Sequence, residues 1–151
     1  MTAPHEPPLF DFPARAAGRV RVKVCGLTRL EDARVALEAG ADFLGFVFYK
    51  KSPRYIEPER VAEILRALRE ESGAARVAAI GVFVDAPPEE TRAIALGLGL
   101  AAAQLHGRED AGYLRALGPG ICAIKAARMR GPEDLEPLAA QSGSSAASCS
   151  T

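Results

Sequence analysis

The stretch Val20-Arg-Val-Lys-Val-Cys-Gly-Leu-Thr28 decides how this chain is read. Side chains alternate faces along a strand, so Val20, Val22 and Val24 point one way while Arg21, Lys23 and Cys25 point the other. One face suits packing, and the other carries two cations and a thiol. Gly26 then permits a tight turn, and Thr28 with Glu31 three residues on predicts a capping box at a helix start. The local unit is strand, loop, helix, with a reactive group where the strand hands over.

Outward from this stretch the unit recurs. A helix is expected from about Leu30 to Ala39, with Leu30, Ala33 and Leu37 on one face and Gly40 as its stop. The nearly continuous apolar run Phe43-Leu-Gly-Phe-Val-Phe48 reads as a strand buried on both faces of a parallel sheet. A loop from Tyr49 to Ile56 leads to a helix opened by Pro58, with Val61, Ile64, Leu65 and Leu68 as its inner stripe. Ala78 to Val84 is a third strand, and Pro87-Pro-Glu-Glu90 starts a third helix. Leu100 to Leu105, Glu109 to Leu117 and Ile121 to Ala126 continue as strand, helix and strand, and Gly131-Pro-Glu-Asp134 opens a fifth helix reaching Ala140.

Composition bounds the class. With 151 residues and 48% hydrophobic content the chain can bury a sizeable core, and one domain is expected. The formal net charge is zero, and no basic run is interleaved with aromatics, which argues against a nucleic-acid partner. No apolar run is long enough to span a bilayer, and the proline-rich start from Met1 to Pro13 lacks the apolar centre of a signal peptide, so a cytoplasmic location and no membrane partner are expected. Cys25, Cys122 and Cys149 are far apart and odd in number, against a disulfide framework or a zinc knuckle, so reduced thiols and no metal are expected.

Strands alternating with helices imply a parallel sheet with right-handed crossovers. Two architectures compete, a doubly wound open sheet and a (β/α)₈ barrel. Length favours the open sheet, since a barrel needs eight units. The Gly-x-Gly-x-x-Gly phosphate fingerprint is missing after the first strand, however, and Gly97-Leu-Gly99 reads as the end of a helix.

The motifs Lys23-Val-Cys-Gly-Leu-Thr28, Asp32-Ala33, Gly40-Ala-Asp42, Gly45-Phe-Val-Phe48, Ser52-Pro-Arg54, Gly81-Val-Phe-Val84, Gln104-Leu-His-Gly107 and Ile124-Lys-Ala126, in this order, resemble phosphoribosylanthranilate isomerases. The resemblance implies the TIM-barrel fold in place of the open sheet, here an incomplete α/β barrel of about five βα units. It implies an Amadori rearrangement in tryptophan biosynthesis, in which N-(5-phosphoribosyl)anthranilate becomes its carboxyphenylamino-deoxyribulose phosphate isomer. It implies no cofactor, and a small phosphosugar-anthranilate molecule as the partner. Ring opening requires a general acid at the furanose oxygen, and the Schiff base then loses its C2 proton to a general base. The family's base corresponds to Cys25, at the C-terminal end of the first strand and on the same side as Lys23, where a nearby cation favours the thiolate. Arg54 corresponds to the group that binds the anthranilate carboxylate, a role suited to the paired donors of guanidinium. Gln104 and His106 share a parity that faces the barrel mouth and correspond to further substrate contacts, while Ala103 and Leu105 pack outward. Lys50 and Lys51 read as solvated loop charges, Cys122 as core and Asp85 as a turn cap.

Departures from the pattern matter as much. The family's general acid is an Asp ending the sixth strand, and its phosphate is held by glycine-rich loops after the seventh and eighth. Where the sixth strand is due, residues 141–151 form a small-residue, low-complexity tail, Gln141-Ser-Gly-Ser-Ser-Ala-Ala-Ser-Cys-Ser-Thr151. This reads as a truncation or an altered reading frame of a longer gene. Residues 1–19 read as a disordered extension ahead of a partial barrel over 20–140. Three functional readings result: an isomerase whose competent form needs further units, a non-catalytic partial barrel that self-associates through exposed sheet edges, and a different phosphosugar enzyme on the same fold. The joint presence of Cys-Gly-Leu-Thr and Ser-Pro-Arg favours the first over the third.

Overall fold

Apolar strand runs separated by amphipathic segments give a regular alternation. The computed structural model describes residues 20–72, 78–128 and 131. In chain order these form β1 (Lys23–Cys25), α1 (Leu30–Glu38), β2 (Phe43–Val47), α2 (Pro58–Ser72), β3 (Ala79–Phe83), α3 (Pro88–Leu98), β4 (Ala102–Leu105), α4 (Ala111–Leu117) and β5 (Ala123–Lys125). The extension at 1–19, the fifth helix expected after Gly131 and the tail at 141–151 lie outside the described residues.

The five strands are all parallel and stand in the order β1-β2-β3-β4-β5. Each strand's neighbour in the sheet is its neighbour in sequence. A doubly wound sheet reverses its order at a switch point, whereas a barrel wall advances one strand at a time. The topology is that of the first five units of a (β/α)₈ barrel, which settles the competition that length alone would have decided the other way.

Two apolar layers hold the sheet. On one face Leu44, Phe46, Phe83, Ala103 and Leu105 pack against Ala33 and Ala36 of α1, the stripe Val61, Ile64, Leu65 and Leu68 of α2, and Ala95 of α3. The stripe has the spacing of one helix face, and all four side chains are buried as that spacing predicts. The rings of Phe48 and Phe83 stack with centroids 5.2 Å apart. On the other face Phe43, Ile80 and Ala102, joined by Ile124 and Cys122, form a smaller cluster. That cluster is the floor beneath the strands' C-terminal ends.

Three local expectations are corrected. The first helix begins after Arg29, whose side chain makes no cap hydrogen bond, so the Thr28 and Glu31 capping box does not form. Val20, Val22 and Val24, expected to pack, are 81%, 50% and 36% exposed, because β1 pairs only with β2 and stands at a sheet edge. Cys25 is a free thiol but Cys122 is disulfide-bonded, so the reduced reading holds for Cys25 alone of these two. The helix stop at Gly40 is as read: the N–H groups of Gly40 and Ala41 donate back to the carbonyls of Leu37 and Ala36, 2.9 and 3.0 Å away. No helix among the described residues is long and apolar enough to cross a membrane.

Candidate functional site

Every strand of a parallel sheet with helical crossovers ends on the same side, so residues just past those ends are gathered together. Here they line a cavity of about 790 Å³. Cys25 reaches it from the end of β1, Arg54 from the loop after β2, Gln104 from β4 and His106 from the residue after β4. All four candidate residues therefore meet in one place. Parity explains the β4 pair: Gln104 and His106 face the cavity, while Ala103 and Leu105 between and beside them are fully buried on the helix side.

Small residues make this convergence fit. Gly45 is the register partner of Cys25, and a Cβ built on it would lie 2.7 Å from Cys25 Sγ. Gly26, at φ +83°, turns the chain so that its N–H and that of Leu27 both donate to the Gly45 carbonyl, at 2.9 and 3.1 Å. The Arg54 side chain crosses directly over this turn, because a Cβ at position 26 would stand 2.6 Å from Arg54 Cδ. Ser52 supports the loop by accepting from the Arg54 backbone N–H at 3.1 Å.

The charge distribution is one-sided. Lys23, Arg54 and Arg128 line the cavity, and no carboxylate does so among the described residues. Lys23 Nζ donates to Gln104 Oε1, a neutral partner that leaves its charge uncompensated. The His106 imidazole is held below its usual range, first by burial and then by the Lys23 and Lys125 cations, with Glu109 opposing them. At neutral pH the ring is therefore uncharged. A thiol, a neutral imidazole and three cations around an open space suit an anionic ligand and a proton transfer at its centre.

The sequence model of N-(5'phosphoribosyl)anthranilate (PRA) isomerases matches residues 22–146. The chain belongs to the phosphoribosylanthranilate isomerase family. The N-(5'-phosphoribosyl)anthranilate isomerase of Geobacter sp. (strain M21) is 48% identical over 118 residues, which cover 78% of this chain and 54% of that protein. The crystal structure of the Thermotoga maritima phosphoribosylanthranilate isomerase superposes with a TM-score of 0.72 at 42% identity, covering 80% of this chain and 56% of that one. A phosphoribosylanthranilate isomerase in complex with reduced 1-(o-carboxyphenylamino)-1-deoxyribulose 5-phosphate gives the same TM-score and identity, over 80% of this chain and 59% of that one. The chain thus spans about half the length of the curated relatives it matches.

Against this phosphoribosylanthranilate isomerase framework, the residues to which sequence reading gave no role are Glu109 and Lys125. Lys125 Nζ donates to Glu109 Oε2 at 2.8 Å, and the Glu109 side chain is 1% exposed. Burial pushes the Glu109 carboxyl up, but hydrogen bonds from Lys125 and the Asp85 N–H outweigh it and hold the group below its usual range. The signal was present: a lysine inside the apolar run Ile121 to Ala126 needs a counter-ion, and the acid just past the Gly107 turn supplies it. Asp85 does cap a turn as read, at φ 51°, accepting from the Arg108 N–H at 2.7 Å.

Proposed function

We propose that this chain carries the base and the substrate-binding half of a phosphoribosylanthranilate isomerase site of tryptophan biosynthesis. The observation that carries the reading is the meeting of Cys25, Arg54, Gln104 and His106 in one cation-lined cavity at the strands' C-terminal ends. In this reading the ligand's anthranilate carboxylate pairs with Arg54, and Gln104 and His106 contact the opened sugar. Cys25 acts as the general base that removes the C2 proton of the Schiff base, and the resulting enolamine tautomerises to the ketose. Ring opening requires a proton at the furanose oxygen, and the described cavity wall offers no carboxyl to give it. The 151-residue chain by itself is therefore expected to turn over negligibly, since loss of general-acid help alone costs about 10² to 10⁴ in rate.

Two measurements test this. Calorimetric titration of the folded chain with reduced 1-(o-carboxyphenylamino)-1-deoxyribulose 5-phosphate should give binding that Arg54→Ala abolishes. A folded chain that ignores this ligand removes the substrate assignment. A fluorescence assay with N-(5-phosphoribosyl)anthranilate should show no turnover above background. Turnover that disappears in Cys25→Ala keeps the base and overturns the inactivity.

A second reading, a non-catalytic partial barrel that self-associates, is supported by the edge position of β1 and by the exposed Val20 and Val22 just ahead of it. Concentration-dependent mass in sedimentation that Val22→Lys suppresses would favour it.

A further inference from the structure

The pair formed by the buried Glu109 and the partly buried Lys125 lies just outside the residues that line the cavity, and its contacts converge on one residue. Lys125 Nζ donates to the carbonyls of Leu105 and Gly107, at 3.4 and 2.6 Å, the residues on either side of His106. Glu109 Oε1 accepts from the Gly107 N–H at 3.1 Å and from the Asp85 N–H at 3.0 Å. The His106 N–H itself donates to the Phe83 carbonyl of β3 at 2.9 Å. The backbone of residues 105–107 is thus held from β3, from β5 and from the loop after β4 at once.

We propose that Glu109 and Lys125 are positioning residues for His106: together they fix the peptide that carries the imidazole and set the charges facing it. Glu109 gathers three elements through one carboxylate, two amide bonds on one oxygen and an ammonium on the other. Lys125 grips the carbonyls that flank His106. A carboxylate buried beside a single ammonium is a weak contributor to net stability, but it restricts geometry, which a site residue requires. The charged groups facing the ring are Lys23 from β1, Lys125 from β5 and Glu109 from the loop; Arg54, Arg128 and the Cys25 thiol line the same cavity. The inference rests on the isomerase reading only in treating His106 as a ligand contact. The readout below is the imidazole and its backbone, so a failed ligand titration and a failed positioning test are distinguishable.

The experiment follows the His106 ring and the residue 105–107 amides by NMR across pH, in wild type and in folded variants checked by circular dichroism. Lys125→Met removes a cation facing the ring and leaves Glu109 in place, so the ring's titration midpoint should rise, and Lys125→Arg should restore it. Glu109→Gln combined with Lys125→Met keeps an acceptor for both amides and supplies the reference His106 and Gly107 resonances in the absence of the Lys125 contacts. Glu109→Ala combined with Lys125→Met removes the acceptor; these resonances should move, and exchange of the Gly107 amide should quicken roughly fivefold or more. A Lys125→Met midpoint equal to wild type, or a folded alanine double variant with the reference His106 signals, overturns the proposal. If the alanine double variant does not fold, the Lys125→Met midpoint decides alone.

Discussion

The sulfur of Cys25 occupies the space that a side chain at Gly45 would need, since a Cβ there would lie 2.7 Å from Sγ. The two residues are register partners on β1 and β2. Gly45→Ala must therefore push the thiol aside or part the strands. Overpacking of this kind typically costs about 1–3 kcal/mol. Urea unfolding should show the lower midpoint, and iodoacetamide should alkylate Cys25 at a changed rate. A variant with unaltered midpoint and rate would mean that the thiol does not sit where described.

Arg54 should be sensitive through its neighbour as well as directly. A hydrogen bond to a charged group contributes about 1.5–3 kcal/mol, so Arg54→Lys, which gives up the paired donors, should weaken binding of the reduced deoxyribulose phosphate ligand by tenfold or more. Gly26→Ala should do so too, because its methyl would meet Arg54 Cδ at 2.6 Å, and it should also lose about 1–2 kcal/mol of stability to the left-handed backbone. Wild-type affinity in a folded Gly26→Ala chain would separate Arg54 from this turn.

Helices α3 and α4 are joined by a partly buried hydroxyl pair, Thr91 Oγ1 and Tyr113 Oη, 2.7 Å apart. Thr91 is fully buried, so Thr91→Val strands the phenol on one side and Tyr113→Phe strands the threonine on the other. Each single change should cost about 1–3 kcal/mol, and the double variant less than the sum. Additive losses in a thermal-melt cycle would show that the pair is not coupled.

Acid should lower the stability of the chain over two pH windows. The His106 imidazole is held below its usual 6.5, so between that value and its folded value the unfolded chain binds the extra proton, and stability falls as pH falls through this window. The Glu109 carboxyl is held below its usual 4.5, so the stability it contributes is present above 4.5 and is lost as pH drops from there through the folded value. Melting temperatures across pH should show both declines, and His106→Gln should remove the first. An unchanged pH profile in that variant would assign the upper decline to other groups.

Much of this was legible in the residues. The five-strand alternation follows from apolar runs such as Phe43 to Phe48 and from the α2 stripe, because burial on two faces and on one helix face leave different periods. Strand parity put Lys23 with Cys25 and Gln104 with His106 on shared faces, and the resemblance implied that those faces line the barrel mouth. Strand order was not legible from periodicity; the resemblance implied the barrel, and the consecutive pairings now display it. The capping box failed because Thr28 remains in the extended loop and Arg29 takes the N-cap position. Glu109 was missed because the sequence reading opened the fourth helix with it, whereas that helix begins at Ala111 behind the Asp110 N-cap, and its partner Lys125 lies 16 residues away and meets it only in space.

The sheet order has a consequence for how the chain comes into being. Each strand pairs with the one made just before it. During synthesis each described strand after β1 finds its neighbour already made. Assembly can thus follow the ribosome in single steps of one strand and one helix. Nascent chains halted beyond Val84 should already protect β2 from protease, and uniform cleavage at that length would show that the wall forms all at once instead.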